Sequence, residues 1–169
     1  MYVRAINPAV GGSFVFFKRR DRVIFEKFSM VDFVQLAAME QQYKRAIGEA
    51  EMDNAQLSNL RTAIEKEQIT FFVGKEQGQI VAMCSISLAF STFSCQPNGI
   101  FEDFYVAEAY RKKGVARSLL RFVFATMEAQ GIASLWVGSG DVDVDMYKSL
   151  GFAMPLGNLL AWHAAQAVS

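Results

Sequence analysis

Two carboxylates and a run of cations stand close together in this chain. Glu102 and Asp103 lie among aromatic and β-branched residues in Phe101-Glu102-Asp103-Phe104-Tyr105-Val106, and the basic turn Arg111-Lys112-Lys113-Gly114-Val115-Ala116 follows. A carboxylate set among Phe101, Phe104 and Tyr105 loses solvation, which raises its pKa and suits it to accept a proton. Adjacent positions on a regular strand point to opposite faces, so Glu102 and Asp103 are expected to meet different surroundings. The basic turn suggests a second kind of chemistry. From Val115 the apolar residues recur at Leu119, Leu120, Val123 and Met127, a helical spacing, so the turn delivers its cations to a helix N-terminus. Unpaired N–H groups and a partial positive charge at such an end attract an anion, most naturally a phosphate. Gly114 lets a ligand approach the backbone, while Arg111, Lys112 and Lys113 add mobile positive charge. The arrangement outlines a diphosphate cradle, although the same residues taken alone also suit a solvated loop.

The elements that must position these groups follow from periodicity. Residues 23–28 read as a strand, and Ser29 offers an N-cap to a helix that continues through Phe33, Leu36, Ala37, Met39 and Tyr43 to about residue 47. A second helix is expected over 54–67, with Leu57, Leu60 and Ile64 on its buried face. The period then changes to that of strands. Residues 69–73 and 80–88 form a hairpin about Glu76-Gln77-Gly78-Gln79, and 91–98 read as a polar loop containing Pro97. The strand 101–106 leads into a helix over 114–129 stopped by Gly131, then the strand Leu135-Trp136-Val137, then a helix over 144–150 closed by Gly151. The tail over 152–164 is expected to hold one or two further strands. Residues 2–6 and 14–17, separated by Gly11-Gly12, suggest a short hairpin or an irregular arm. The order predicts a mixed α/β sheet, with residues 1–169 as one domain and residues 1–22 as an N-terminal extension.

Composition removes several classes of function. The 169 residues are 52% hydrophobic and 20% charged, as expected of a packed globule. Seventeen basic residues balance 17 acidic ones, which argues against nucleic-acid binding as the main activity. No Gly-x-x-x-x-Gly-Lys-Ser/Thr occurs, nor Gly-x-Gly-x-x-Gly after a strand, which disfavours P-loop NTPases and Rossmann dehydrogenases. Arg4, Pro8 and Gly11-Gly12 interrupt the N-terminal apolar residues, and no stretch approaches the length of a membrane span, so a cytoplasmic protein is expected, free of the membrane. Cys84 and Cys95 are then expected to be reduced thiols.

Arg111-x-x-Gly114-x-Ala116, between an extended strand and an amphipathic helix, resembles the pyrophosphate loop of the GNAT family of N-acetyltransferases, which reads Arg/Gln-x-x-Gly-x-Gly/Ala. The likeness extends upstream to Glu102-Asp103-Phe104-Tyr105-Val106 and downstream to Tyr147-Lys148-Ser149-Leu150-Gly151-Phe152, which is similar to that family's tyrosine helix and its Gly-Phe exit. The three pieces keep family order and spacing over residues 70–152. The resemblance implies a GNAT-type fold, a mostly antiparallel sheet splayed at the CoA site and flanked by about four helices, with acetyl-CoA as co-substrate and no metal. It implies that the strand carrying Phe104, Tyr105 and Val106 pairs with the pantetheine arm through main-chain atoms of Phe104 and Val106. The N–H groups of residues 111–116 would hold the diphosphate. Glu102, with Asp103 as second choice, would deprotonate the amine, as in the spermidine/spermine branch that the Glu-Asp pair resembles. Tyr147 would protonate the CoA thiolate.

The chain also departs from the family. Gly140 stands where many members have an asparagine, and Asp143 where alanine is usual. Asp141, Asp143 and Asp145 alternate like a metal loop but lack the Gly and Glu of an EF-hand, so solvated charges are expected. His163, the sole histidine, lies beside Trp162 and is read as structural. Phe90, Phe93 and Tyr43 suit either a core or a substrate cleft. The expected function is acetyl transfer to a primary amine of a small molecule by direct attack in a ternary complex, the acidic pair pointing to a polyamine-like or other cationic amine. Acetylation of a protein or peptide amine is the enzymatic alternative, and a non-catalytic acyl-CoA sensor the alternative of another class. The family often forms homodimers, which leaves a dimer open.

Overall fold

The computed structural model describes residues 23–157. The arm expected within 1–22, the tail beyond 157, Trp162 and His163 lie outside the described residues. Five strands form one mixed sheet: β1 (Ile24–Lys27), β2 (Thr70–Glu76), β3 (Gln79–Ser91), β4 (Gln96–Val106) and β5 (Leu135–Val137), neighbours in that order. Strands β1 to β4 pair antiparallel, and β5 joins β4 in parallel. Helices α1 (Phe33–Ala46) and α2 (Asn54–Glu65) precede the β2–β3 hairpin, α3 (Val115–Ala129) connects β4 to β5, and α4 (Val144–Leu150) follows. No helix among the described residues is long and apolar enough to cross a membrane. Cys84 is buried and Cys95 exposed, and both are free thiols.

Helices cover both faces of the sheet, which is why β2 and β3 read as unbroken apolar runs. Phe72, Ala82, Cys84, Ile86 and Phe101 pack on one side against the α3 stripe of Val115, Leu119, Leu120, Val123 and Met127. Phe71, Val73 and Met83 pack on the other side against Phe33, Leu36 and Met39 of α1. The hairpin turns on Gln77 and Gly78, at φ 50° and 80°, a two-residue connection that matches strand twist. Lys75 of β2 holds both Glu26 and Asp32 at 2.6 Å and so ties β1 to the start of α1.

Two expectations are corrected. Leu57, Leu60 and Ile64 are only half-buried, and α2 has no fully buried residue. Leu60 and Ile64 still pack against the α1-side core, Gln41 of α1 exchanges two hydrogen bonds with Met52 (2.9 and 2.8 Å), and a capping box starts the helix, in which Gln56 N–H donates to Asp53 (2.8 Å) and Asp53 N–H donates to Gln56 (2.9 Å). The loop expected over 91–98 shrinks to a turn at 92–95: β3 continues to Ser91 and β4 begins at Gln96, with Phe90 opposite Pro97. Leu88, Phe90 and Phe93 on and beside this arm are exposed, so no core-facing period marks it, and its Ser, Thr and Pro content mimics a loop. Phe90 and Phe93 are therefore not core residues.

Strand β5 can approach β4 only because position 99 has no side chain. Gly99 pairs with Leu135, and a Cβ there would lie 2.7 Å from Leu135 Cδ2 and 2.8 Å from Ile86 Cγ2. Gly99→Ala should lower stability by about 1–3 kcal/mol through overpacking, read as a lower urea midpoint at constant m-value.

Candidate active site

The pairing of β3 with β4 slips between Cys84, opposite Phe104, and Ile86, opposite Phe101. Glu102 and Asp103 together therefore face the single Ser85, which makes a β-bulge in β4. Alternation breaks at this point. Phe101 and Phe104 both join the α3-side core, with ring centroids 5.7 Å apart. The two carboxylates turn together toward the α1 side: Ser87 Oγ donates to Glu102 (2.8 Å) and Ser85 Oγ donates to Asp103 (3.2 Å). Asp103 N–H donates back to Ser85 Oγ at 3.1 Å and so pins the bulge. The expected divergence to opposite faces does not occur, because the extra residue cancels it.

Their environments differ all the same. Glu102 is exposed, whereas Asp103 is half-buried. Desolvation raises the Asp103 carboxyl above the usual aspartate value, the Ser85 hydrogen bond opposes this, and the Glu102 charge adds to it. Helix α1 packs over this stretch and brings Glu40, only 3% exposed, with Oε1 lacking any hydrogen-bond partner among the described residues. Burial, followed by the Asp103 charge, pushes the Glu40 carboxyl up to about 8, against a smaller lowering from Lys44. Tyr43, one turn on from Glu40, sets its ring 6.1 Å from that of Tyr105. Neither α1 residue belongs to a recognised motif. The signal for Glu40 is its register: it stands seven residues after Phe33 and four after Leu36, on the stripe that faces the core.

Strand β4 pairs with β5 only from Gly99 to Phe101. From Glu102 to Val106 its β5-side edge has no strand partner among the described residues, so a cleft opens there. Tyr147 of α4 lies against the root of this cleft, its ring 6.3 Å from Phe101, 6.4 Å from Phe104 and 5.8 Å from Phe152. Gly151, at φ 121°, reverses the chain, and Phe152 N–H returns to Tyr147 O at 3.1 Å. A Cβ on Gly151 would meet Phe124 at 2.9 Å, so conformation and space both call for glycine there. Desolvation raises the Tyr147 phenol to about 12, with Tyr43, Asp143 and Asp103 adding to the effect, so it is neutral near pH 7. Tyr147, Tyr43 and Asp103 thus feel one another across the mouth of the cleft.

The basic turn leads from the end of β4 into α3. Arg111 turns back, donating from Nε to Val106 O at 3.0 Å, with its guanidinium 5.3 Å from the Tyr105 ring centroid. Lys113 lies 5.7 Å from the Tyr110 ring centroid. Lys112 and Gly114 take left-handed φ values of 58° and 82°, and nothing lies within 4 Å of where a Gly114 Cβ would stand. The first helical bond runs from Ser118 N–H to Gly114 O, which leaves the N–H groups of Val115, Ala116 and Arg117 outside the intrahelical ladder. These features fit a diphosphate: open space, free donors and three cations at one helix start. Asp141, Asp143, Asp145 and Gly140 are all exposed, and a Cβ at Gly140 would meet nothing within 4 Å. Two concavities, one lined by Lys27, Thr70 and Met127 and the other by Phe28, Ile64 and Phe71, include none of these residues.

The family model of the acetyltransferase (GNAT) family matches residues 33–152. No curated protein sequence matches this chain. Its fold is similar to that of a probable acetyltransferase, with a TM-score of 0.71 at 19% identity over 83% of this chain and 99% of that one. An aminoglycoside acetyltransferase from an uncultured soil metagenomic sample, in complex with sisomicin, gives a TM-score of 0.75 at 13% identity over 85% and 97%. A predicted acetyltransferase with acetyl-CoA from Clostridium acetobutylicum gives 0.70 at 17% identity over 83% and 96%. With the model spanning the stretch from α1 to the Gly151-Phe152 exit, the chain belongs to the GNAT acetyltransferase family.

Proposed function

We propose that this protein transfers the acetyl group of acetyl-CoA to the primary amine of a small cationic molecule, by direct attack in a ternary complex. The observation that carries the reading is the open β4 edge beside the Gly114 helix start, with Asp103 and Tyr147 at its two sides. The β4 main chain from Phe104 to Val106 would hold the pantetheine arm, and residues 111–116 the diphosphate. When bound, acetyl-CoA supplies the activated acyl group. The chain then has to position the amine, take its proton and return one to sulfur.

Asp103 is the better base of the pair, reversing the order read from sequence. It is desolvated and pinned by Ser85, whereas Glu102 stands exposed on Ser87. Tyr147, neutral and held by Phe101, Phe104 and Phe152, is suited to donate its proton to the departing thiolate. An acidic surface beside the cleft favours an acceptor that arrives as a cation. Three of the similar structures, of two proteins, are named as aminoglycoside acetyltransferases, and aminoglycosides are small amine-bearing molecules, in line with this class.

Thiol release from acetyl-CoA, assayed against polyamines, amino sugars and peptides, tests the reaction. Turnover with peptides alone, or none at all, overturns it. Tyr147→Phe should lower kcat by roughly 100-fold or more with acetyl-CoA affinity retained, and an unaltered kcat removes the acid role. A carboxylate base must be ionised to act, so kcat/KM should fall as pH drops through the raised Asp103 value. Asp103→Asn should abolish this acid limb and Glu102→Gln should keep it. The opposite pair of results assigns the base to Glu102.

A further inference from the structure

Glu40 is a carboxyl buried in the place of an apolar side chain. It is 3% exposed and follows Phe33 and Leu36 along the core-facing stripe of α1, yet its Oε1 finds no partner among the described residues. A buried polar atom of this kind is rare, because its desolvation goes uncompensated. The groups that act on it are Asp103 from β4 and Lys44 from α1 itself. Glu102 bears on Asp103, Asp103 and Asp143 bear on the neighbouring Tyr43, and Tyr43 bears in turn on Tyr147. Lys44 is the sole cation in that set, and no ion pair joins it to Glu40 among the described residues. The seam between α1 and β4 is therefore short of positive charge, and the Tyr43 and Tyr105 rings stand beside it.

We propose that Glu40 is the specificity-determining residue for the acceptor: its carboxylate, with Asp103 across the α1–β4 seam, receives the ammonium group of an alkylamine whose stem lies along Tyr43 and Tyr105. The assignment rests on the amine-acetylating reading above and narrows it to acceptors that enter as cations. The unpaired Oε1 gains the charged donor that the fold does not supply. A proton balance follows. Without a cation, burial and Asp103 keep the Glu40 carboxyl protonated up to about pH 8. An ammonium beside it favours the ionised form, so amine binding near neutral pH expels the Glu40 proton to solvent. The free protein carries the same signature. Its folded value lies above the ordinary 4.5, so stability from this group is full below that pH and is lost as pH rises through about 8.

The test is calorimetric titration of the CoA-loaded protein with n-butylamine and 1,4-diaminobutane at about pH 7, in two buffers of different ionisation enthalpy. The wild type should release about one proton per amine bound. Glu40→Gln, isosteric with the neutral acid, should release none and bind the amines roughly tenfold more weakly or worse, with CoA affinity unchanged. It should also lose the decline of Tm between pH 5 and 8, which reports that it has folded. Glu40→Asp should restore part of the proton release. Binding without proton release, equal affinities in the wild type and Glu40→Gln, or failure of the wild type to bind either amine overturns the assignment. Thiol release assayed in parallel separates the two readings. Turnover of these amines with equal KM in both proteins keeps the reaction and removes Glu40 from it. Proton-coupled amine binding without thiol release keeps the cation site and removes the reaction.

Discussion

Strand β4 is paired with β3 along its length but with β5 only as far as Phe101, and the site depends on that partial pairing. The close start of the β4–β5 ladder requires Gly99, since a side chain there would collide with Leu135 and Ile86. Its early end leaves the backbone of residues 102–106 without a strand on one side, next to the helix start at Gly114. Backbone N–H and C=O groups left unpaired by a sheet seek other partners, which makes such an edge a natural place for an extended ligand to pair.

The bulge at Glu102 and Asp103 sits at the point where β4 leaves β5. One extra residue rotates the strand, so that Phe101 and Phe104 both serve the α3-side core while the carboxylates face α1. The open edge therefore has an aromatic side, with Tyr147 wedged among Phe101, Phe104 and Phe152, and an acidic side at Asp103, with Glu40 buried behind it under α1. The same physical cause acts on both sides. Burial keeps a phenol neutral and lifts two carboxyls, because each charged form loses water that the surroundings replace only in part.

Most of the architecture was legible as periodicity. α3 shows its apolar stripe because it packs on one face, and the β2–β3 hairpin shows a continuous run because both of its faces are covered. The Gly114 turn and the Gly151-Phe152 exit are local requirements for left-handed or reversed backbone, so they leave a glycine in the sequence wherever they occur. The β3–β4 arm was not legible. Its residues meet little core, and without a buried face a strand carries no alternation to read.

What the sequence determined by itself, then, was whatever rests on nearest neighbours: the helices though not the Ser29 cap, since α1 starts after Asp32, the two-residue hairpin turn, the basic helix start, and the family to which that order of motifs belongs. Only the tertiary structure decided which way the two carboxylates point, since one bulge against Ser85 inverts the direction that strand alternation predicts. It also decided which residue meets Asp103 from across the seam. Glu40 is 63 positions earlier in the chain, and no local rule connects a helix stripe to a strand that far along it; their meeting is set by how α1 packs on the sheet.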